Sequence, residues 1–500
     1  MAKLGLETHI VDPTVYDRVI QRFREAKIAL PTFAQLADPK TIPSKVRSAL
    51  ANVDPNSPNS LNLFRVHWFN SANQKEIVDV PEHIVLPPSL TGVKAQIVVM
   101  IGAHFPMISA HKVLAAYGCL VPRLVTGQFD PVAHKAIWPS TGNYCRGGVA
   151  ISRITGCRGV AILPEGMSQE RFNWLDKWVS HPDDVIKTYG TESNVKEIYD
   201  KCNELDRDPK NVIFNQFCEF GNHLVHYLCT GKAAETVFKA QQAKNRDSRL
   251  RAFVSCSGSA GTIAAGDYLK EKFGSLIVGS EAVECPTMLY NGFGEHNIQG
   301  IGDKHIPYIH NVMNMDVAVG ITDKATDTLD VLFNTEAGRE YLTQRKGVPA
   351  EIVNRLSLLG FSSICNILSA IKTAKYYQMN ARDVVVTVAT DSAAMYGTER
   401  EKALKKYFPK GFDTVEAAET YGRHMAGTQI DHLRELSFHE RHRIFNLGYY
   451  TWVEQQGVTV EEFNARRKPE FWTELQTRIA AWDKMTEEFN KKTGALDRIG

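Results

Sequence analysis

The sequence lacks long hydrophobic runs and any excess of charge of one sign. Its longest apolar run, at about residues 97–103, is too short to cross a bilayer. Its 58 Lys and Arg residues are balanced by 56 Asp and Glu residues. A protein that binds nucleic acid or an anionic membrane surface usually carries a strong basic excess. We therefore expect neither nucleic acid nor a membrane as a partner.

Paired metal-ligand and redox motifs are also missing. The nine cysteines are scattered, with no CxxC pair, and no HExxH spacing occurs. Such thiols are typical of reduced, mostly buried cysteines, so we expect no metal site. Residues 1–10 show no basic segment followed by an apolar one, as a secretory signal would. The expected location is the cytoplasm.

Short apolar runs rich in β-branched residues alternate with helical patterns from residue 94 onward. KAQIVVMI at 94–101 and DVVVTVAT at 383–390 predict buried strands. The predicted fold class is α/β, with two open, mostly parallel twisted sheets flanked by helices. Further strands are predicted at 120–125, 159–163, 184–189, 250–255 and 276–281. Helices are predicted at 15–29, 44–52, 110–118, 147–155, 168–179, from 193, at 261–272 and at 362–378.

Composition divides the chain into three parts. Residues 1–85 are polar and form an N-terminal extension, and residues 86–395 carry the alternating strands and helices of the core. Residues 396–500 are charged, helical in pattern and contain Trp452, Trp472 and Trp482. We interpret this last part as a helical C-terminal extension whose aromatic residues pack on the core.

A small-residue turn follows the predicted strand 250–255 and opens a helix. Backbone N–H groups at such a turn can surround a phosphate, and the helix N-terminus favours an anion. It is neither a Walker A loop nor a GxGxxG turn, which disfavours a dinucleotide-dependent oxidoreductase. Alone it is equally consistent with an ordinary strand-to-helix turn. The residues of this turn are Gly258, Ser259, Ala260, Gly261 and Thr262.

Two further segments could carry chemistry. Ser140, Thr141, Gly142 and Asn143 precede a helix, where hydroxyl and N–H groups can hold a carboxylate or simply cap the helix. Lys112 lies just after a buried strand, where partial desolvation would lower its pKa and favour the nucleophilic amine. Schiff-base chemistry requires such an amine. Taken singly, each segment also has an ordinary structural interpretation.

In combination, these segments resemble the fold-type II enzymes that depend on pyridoxal 5'-phosphate (PLP). This superfamily contains cysteine synthase, cystathionine β-synthase and the tryptophan synthase β-chain. Pro164–Arg171 resembles the P-x-x-M-S-x-E-R segment of the family, and Gln299–Gly302 its Q-G-I-G turn. Gly360–Ser363 resembles the G-I-S-S helix start. The resemblance covers about residues 85–395.

The resemblance implies a role for each matching residue. Lys112 would form the Schiff base with PLP and move the α-proton, and Asn143 would bond the 3-hydroxyl of the cofactor. Gly258–Thr262 would hold the phosphate, while Ser140, Thr141 and Gly142 would grip the α-carboxylate of an amino-acid substrate. The reaction implied is β-elimination or β-replacement through a Lys112 aldimine and an aminoacrylate. The family also implies a small mobile subdomain at about 115–230 and a homodimer.

The chain departs from the family pattern in the stretched approach Pro106–Lys112, at Ser259 and Ala260 of the cup, and at two further places. Tyr144 and Cys145 follow Asn143, where Thr-Gly is usual, so Tyr144 is expected to shape the substrate site. Thr390 and Asp391 fall where the family usually places a serine facing the pyridine nitrogen, and the sequence leaves open which of the two faces it. Cys145 has no nearby base and is interpreted as packing. His104 and His111 are interpreted as structural or second-layer groups.

Two alternatives remain at this stage. A serine or threonine dehydratase uses the same scaffold, and a substrate panel would separate the two activities. A non-catalytic scaffold protein could retain the fold, but such a protein would need neither Lys112 nor Asn143.

Overall fold

The computed structural model describes residues 5–499. Its described part contains eleven strands of three to eight residues. They are β1 His83–Leu86, β2 Gln96–Ile101, β3 Lys135–Pro139, β4 Arg158–Pro164, β5 Val185–Thr188, β6 Asn211–Ile213, β7 Arg249–Cys256, β8 Leu276–Ala282, β9 Val317–Ile321, β10 Asp383–Ala389 and β11 Leu433–Glu435.

The strands form two sheets. The larger has the order β1-β2-β10-β7-β8-β9-β11, in which β1 and β11 pair antiparallel at the two edges and the rest are parallel. The smaller has the order β5-β4-β3-β6 and is all parallel. The α/β class with two mostly parallel sheets is confirmed. Every residue of β10 is buried, as its unbroken apolar sequence predicts for a strand covered on both faces.

Helices cover both sheets. Those of the first half are α1 Pro13–Ala26, α2 Phe33–Ala37, α3 Ser44–Leu50, α4 Pro88–Thr91, α5 Lys112–Val125, α6 Asn143–Thr155, α7 Gln169–Trp178, α8 Val195–Leu205, α9 Phe220–Val225 and α10 Gly231–Lys244. Those of the second half are α11 Ala264–Phe273, α12 Thr287–Tyr290, α13 Asp323–Asn334, α14 Glu336–Glu340, α15 Ala350–Arg355, α16 Phe361–Tyr376, α17 Gly397–Tyr407, α18 Thr414–Tyr421, α19 Phe438–Tyr449, α20 Val460–Ala465 and α21 Pro469–Thr493. None of the helices described between residues 5 and 499 is both long and apolar enough to span a membrane.

The structure corrects the prediction of a strand at 120–125. This segment is the second half of α5, and Pro122 lies inside the helix. All but the first residue of α5 is buried, so the helix has no polar face. A short apolar run that is buried all round cannot be told from a strand by periodicity.

The C-terminal extension is not purely helical, which corrects a second prediction. Residues 433–435 form β11, which completes one edge of the larger sheet. The rest packs on the core and on the N-terminal extension. The Trp482 indole donates to the Glu7 carbonyl at 2.8 Å, and the Asp483 carboxylate accepts from the first N–H groups of α2. The two extensions are therefore part of one folded body.

Candidate active site

Lys112 begins α5 at the point where the loop after β2 turns into the helix. Its Nζ lies 3.1 Å from the Ser259 hydroxyl and 3.4 Å from Oε1 of Gln216. Both partners are neutral. Burial therefore dominates and lowers the pKa of Lys112 to about 8, against smaller opposing effects from Cys119 and Glu192. About one tenth of this amine is then uncharged at pH 7, far more than for a lysine with the ordinary pKa of 10.5, and a nucleophilic lysine requires this form.

Residues 258–262 form a cup between β7 and α11. Ala260 has a φ of +62°, and a Cβ added at Gly261 would lie 2.1 Å from Oδ1 of Asn222. Among the described residues, no backbone carbonyl accepts a hydrogen bond from the N–H groups of residues 258–262. The cavity beneath them is lined by Lys112, Thr262 and Thr390. These free donors at a helix N-terminus are suited to an anion such as a phosphate.

The loop at 140–142 follows β3 and leads into α6. Ser140 accepts a hydrogen bond from the Gly142 N–H at 2.9 Å. Gly142 has a φ of +150°, and a Cβ there would lie 2.4 Å from the side chain of Arg171. Ser140 and Thr141 line the same pocket as Lys112, whereas Gly142 packs behind them against Arg171. The loop thus presents two hydroxyl-bearing residues to the pocket.

Asn143 is held by a buried network. Its Nδ2 donates to Oδ2 of Asp391 at 2.7 Å, and its Oδ1 accepts from Arg146 at 2.8 Å. Asp391 also accepts from the Tyr396 hydroxyl at 2.8 Å and lies 3.7 Å from Arg171. An amide nitrogen carries two hydrogens, and Asp391 takes one of them. Asn143 lines the pocket, and its hydrogen bonds to Asp391 and Arg146 fix the orientation of its amide toward a ligand.

Thr390 and Asp391 point to different surroundings. Thr390 lines both the pocket at Lys112 and the cavity under the cup. Asp391 is fully buried and belongs to the network behind Asn143. It lines neither cavity. Tyr144, the other departure from the family pattern, lines the pocket and donates its hydroxyl to the Phe214 carbonyl at 3.0 Å.

Three further polar residues line the pocket that the sequence patterns did not indicate. Gln216 follows β6, Glu192 lies in the turn between β5 and α8, and Asp303 follows the Gln299–Gly302 turn. Gln216 could have been found, because it follows a short strand whose carboxyl end meets the same sheet edge as β3. Glu192 and Asp303 have no local motif and reach the pocket only through tertiary structure.

The other candidates near the motifs are packing groups. The Nε2 atom of His111 lies 2.9 Å from the Thr262 hydroxyl, and its ring stacks on Trp68 at 5.2 Å. Cys145 is buried, and burial raises the pKa of its thiol to about 12. Within the described residues no group of three His, Cys, Asp or Glu side chains could hold a metal ion.

No protein-family model matches the chain. Cysteine synthase B of Campylobacter jejuni is 27% identical over 255 residues, which are 50% of this chain and 74% of that protein. Cystathionine β-synthase of Saccharomyces cerevisiae is 24% identical over 323 residues, or 62% of this chain and 59% of that protein. The structure of cysteine synthase from Entamoeba histolytica has a TM-score of 0.52 at 19% identity, covering 69% of this chain and 94% of that one.

The sequence relatives and the shared fold agree with the order of the motifs. Together they support the fold-type II superfamily of PLP-dependent enzymes, which the motifs of this chain resemble. The sequence relatives are a cysteine synthase and a cystathionine β-synthase, which are PLP enzymes of that superfamily.

Proposed function

We propose that the chain binds PLP at Lys112 and catalyses β-elimination or β-replacement on an amino acid with a leaving group on its β-carbon. The observation that carries the proposal is the position of Lys112. Its buried amine lies where the donor-lined cup at 258–262 meets the pocket of the 140–142 loop. Cysteine synthase and cystathionine β-synthase relatives support this reaction class.

The residues present fit the cofactor. The N–H groups of residues 258–262, which no backbone carbonyl of the described chain accepts, match the acceptor oxygens of a phosphate. Asn143 has an amide hydrogen left to donate toward a ring hydroxyl. Thr390, which lines both cavities, is the residue we assign to the pyridine nitrogen, and Asp391 is assigned to positioning Asn143.

When bound, PLP supplies a sink for the electrons released at the substrate α-carbon. Ser140, Thr141 and Gln216 line the pocket and are assigned to the α-carboxylate of the substrate, which their donors would orient. Nζ of Lys112 then takes the proton from the α-carbon. Its lowered pKa suits this role, because a general base works best when its pKa lies near the operating pH.

The test is a visible absorbance spectrum of the purified protein beside Lys112→Ala. We expect a cofactor band in the wild type that is lost in the variant and shifted by one member of a panel of β-substituted amino acids. Released keto acid would indicate elimination, and a new thioether with an added thiol would indicate replacement. A protein that remains colourless after incubation with PLP would contradict the proposal and favour a non-catalytic scaffold.

The assembly and location of the protein are also proposals. We infer a homodimer in the cytoplasm from the nature of the relatives. Light scattering coupled to size-exclusion chromatography would report the mass in solution, and a mass of 55.9 kDa would indicate a monomer instead.

A further inference from the structure

Glu192 places a buried carboxyl group inside the pocket of Lys112. It follows β5, and 1% of its surface is exposed. Its Oε1 accepts a hydrogen bond from the Gly300 N–H. The same pocket is lined by Thr141 and Gln216. Neither the reaction class nor the assignments made above give Glu192 a role.

The second oxygen of this carboxyl group accepts no hydrogen bond of good geometry from the described residues, although the Thr141 hydroxyl is near enough to favour the charged form of the group. Among residues 5–499, no donor makes a hydrogen bond to Oε2 of Glu192, although the atom is buried. A buried polar atom without a partner destabilises the folded state, so such an atom calls for an explanation, and one that lines a pocket is suited to a ligand or a reaction. Oε2 is therefore the part of Glu192 that is free to act on a bound molecule.

The protonation state follows from the surroundings. Burial raises the pKa of Glu192 to about 8, although Arg171, the Thr141 hydroxyl and the Gly300 N–H favour the carboxylate. Near neutral pH the group is mainly a carboxylic acid. Because Oε1 accepts from Gly300, the proton resides on Oε2, the atom without a partner.

We propose that Glu192 is a catalytic acid that protonates the leaving group on the substrate β-carbon. This inference rests on the function proposed above and specifies its substrate class. An enzyme with such an acid can use amino acids whose hydroxyl or thiol leaves poorly as an anion. An activated ester is then unnecessary.

A β-hydroxyl group would leave as water. The electron pair left at the α-carbon, after Lys112 takes its proton, forms a double bond to the β-carbon as the bond between the β-carbon and oxygen breaks, and both electrons of that broken bond go to oxygen. The O–H bond of Glu192 breaks with its electron pair remaining on Oε2, and the proton completes a water molecule. The Gly300 N–H and nearby Arg171 stabilise the carboxylate that is left. When a thiol adds, sulfur bonds to the β-carbon and its proton returns to Oε2.

The test compares two substrates that differ in their need for a proton. L-Serine releases hydroxide unless it is protonated, whereas β-chloro-L-alanine releases chloride, which needs no proton. For Glu192→Gln we expect kcat/KM with L-serine to fall by about 10²–10⁴-fold, the usual contribution of a general acid. Turnover of β-chloro-L-alanine should change by less than about threefold, within the scatter of a removed side-chain contact. Glu165→Gln, at an exposed position after β4, is the matched control.

A second measurement does not depend on turnover. In the cofactor-free protein, the infrared difference spectrum of wild type minus Glu192→Gln should show the C=O band of a protonated carboxyl group at pH 7, and this band should disappear on titration through about pH 8. Burial also raises the pKa of Glu281 to about 8, so the total band should only decrease in the variant. Glu192→Asp keeps an acid and should recover part of the L-serine activity. It also provides a second test if the glutamine variant folds poorly.

Three outcomes would overturn the proposal. An equal loss with both substrates would make Glu192 a positioning residue. A loss confined to L-serine in Asp303→Asn, with Glu192→Gln unaffected, would assign the acid to Asp303, whose Oδ2 has no partner in the described part of the chain. A wild-type protein with no cofactor band and no turnover of either substrate would instead contradict the proposed function itself.

Discussion

The lowered pKa of Lys112 predicts how its reactivity changes with pH in the cofactor-free protein. With a pKa of about 8, the uncharged fraction of the amine rises about fivefold from pH 7 to 8 and only about twofold above pH 8. A lysine titrating at 10.5, the ordinary value, would gain about tenfold per pH unit through pH 9. The two curves differ in shape as well as in position.

The neighbours of Nζ explain why the pKa of Lys112 is lowered. Both groups within hydrogen-bond distance of Nζ, Ser259 and Gln216, are neutral, so they do not stabilise the ammonium as a carboxylate would. Glu192 raises the pKa of Lys112 only when it is ionised. Because Glu192 is mainly protonated below about pH 8, Glu192→Gln should leave the Lys112 titration nearly unchanged below that pH.

Competitive labelling measures this titration. The protein without PLP is treated with a small amine-selective acylating reagent at a series of pH values, and the modified peptides are quantified by mass spectrometry. The peptide with the exposed Lys94 serves as the internal reference for reagent activity. A plateau above about pH 8 is expected. Labelling of Lys112 that still rises tenfold per unit beyond pH 9 would refute the claim that burial controls this amine.

Three further predictions concern stability. Asp391→Asn removes the carboxylate beside Arg171 and should lower the free energy of unfolding by about 3–5 kcal/mol in urea titrations, because it leaves buried guanidinium groups uncompensated. Trp452→Ala removes a fully buried ring whose indole donates to the Ile306 carbonyl at 2.7 Å, and should cost about 3–5 kcal/mol. Glu192 binds a proton in the folded state up to about pH 8, so wild-type stability should fall relative to Glu192→Gln as pH rises from about 5 to 8.

Controls distinguish these effects from general disturbance. Asp176→Asn changes an exposed carboxylate on α7 and should leave the free energy of unfolding within about 0.5 kcal/mol of wild type. Trp452→Phe should keep most of the packing and lose mainly the hydrogen bond, so its cost should lie well below that of alanine. A flat difference between wild type and Glu192→Gln from pH 5 to 8 would contradict a protonated Glu192. An Asp391→Asn protein as stable as wild type would show that the network behind Asn143 is not electrostatically coupled.

Local sequence patterns predict the parts of the site that lie between a strand and the helix that follows it. The cup at 258–262 and the loop at 140–143 each lie between a strand and a helix, and such junctions are visible in sequence. Lys112 was found in the same way, after β2. Lys112 and the cup come together because β2 and β7 are parallel strands of the larger sheet, whose carboxyl ends lie at one edge. The 140–143 loop follows β3 of the smaller sheet and joins the same pocket through the packing of the two sheets.

Other features could not be found in this way. The strand Asn211–Ile213 is only three residues long, so its signal is weak and Gln216 beyond it was missed. Glu192 reaches the pocket because Gly300, more than a hundred residues later, binds its carboxyl group. The sequence predicts a strand in the second half of α5, because burial on all sides removes the polar stripe that identifies a helix. In each case the missing information is a contact between distant parts of the chain.

The strand order of the larger sheet has a consequence for synthesis on the ribosome. Its interior strand β10 separates β2 from β7, yet it is encoded more than a hundred residues after β7. The smaller sheet, formed within residues 135–213, can assemble as soon as it emerges. The larger sheet cannot close until residue 389 is available, so a nascent chain must expose unpaired edges of β2 and β7 for much of its elongation. Stalled or truncated translation products ending before β10 are therefore expected to depend on chaperones and to aggregate.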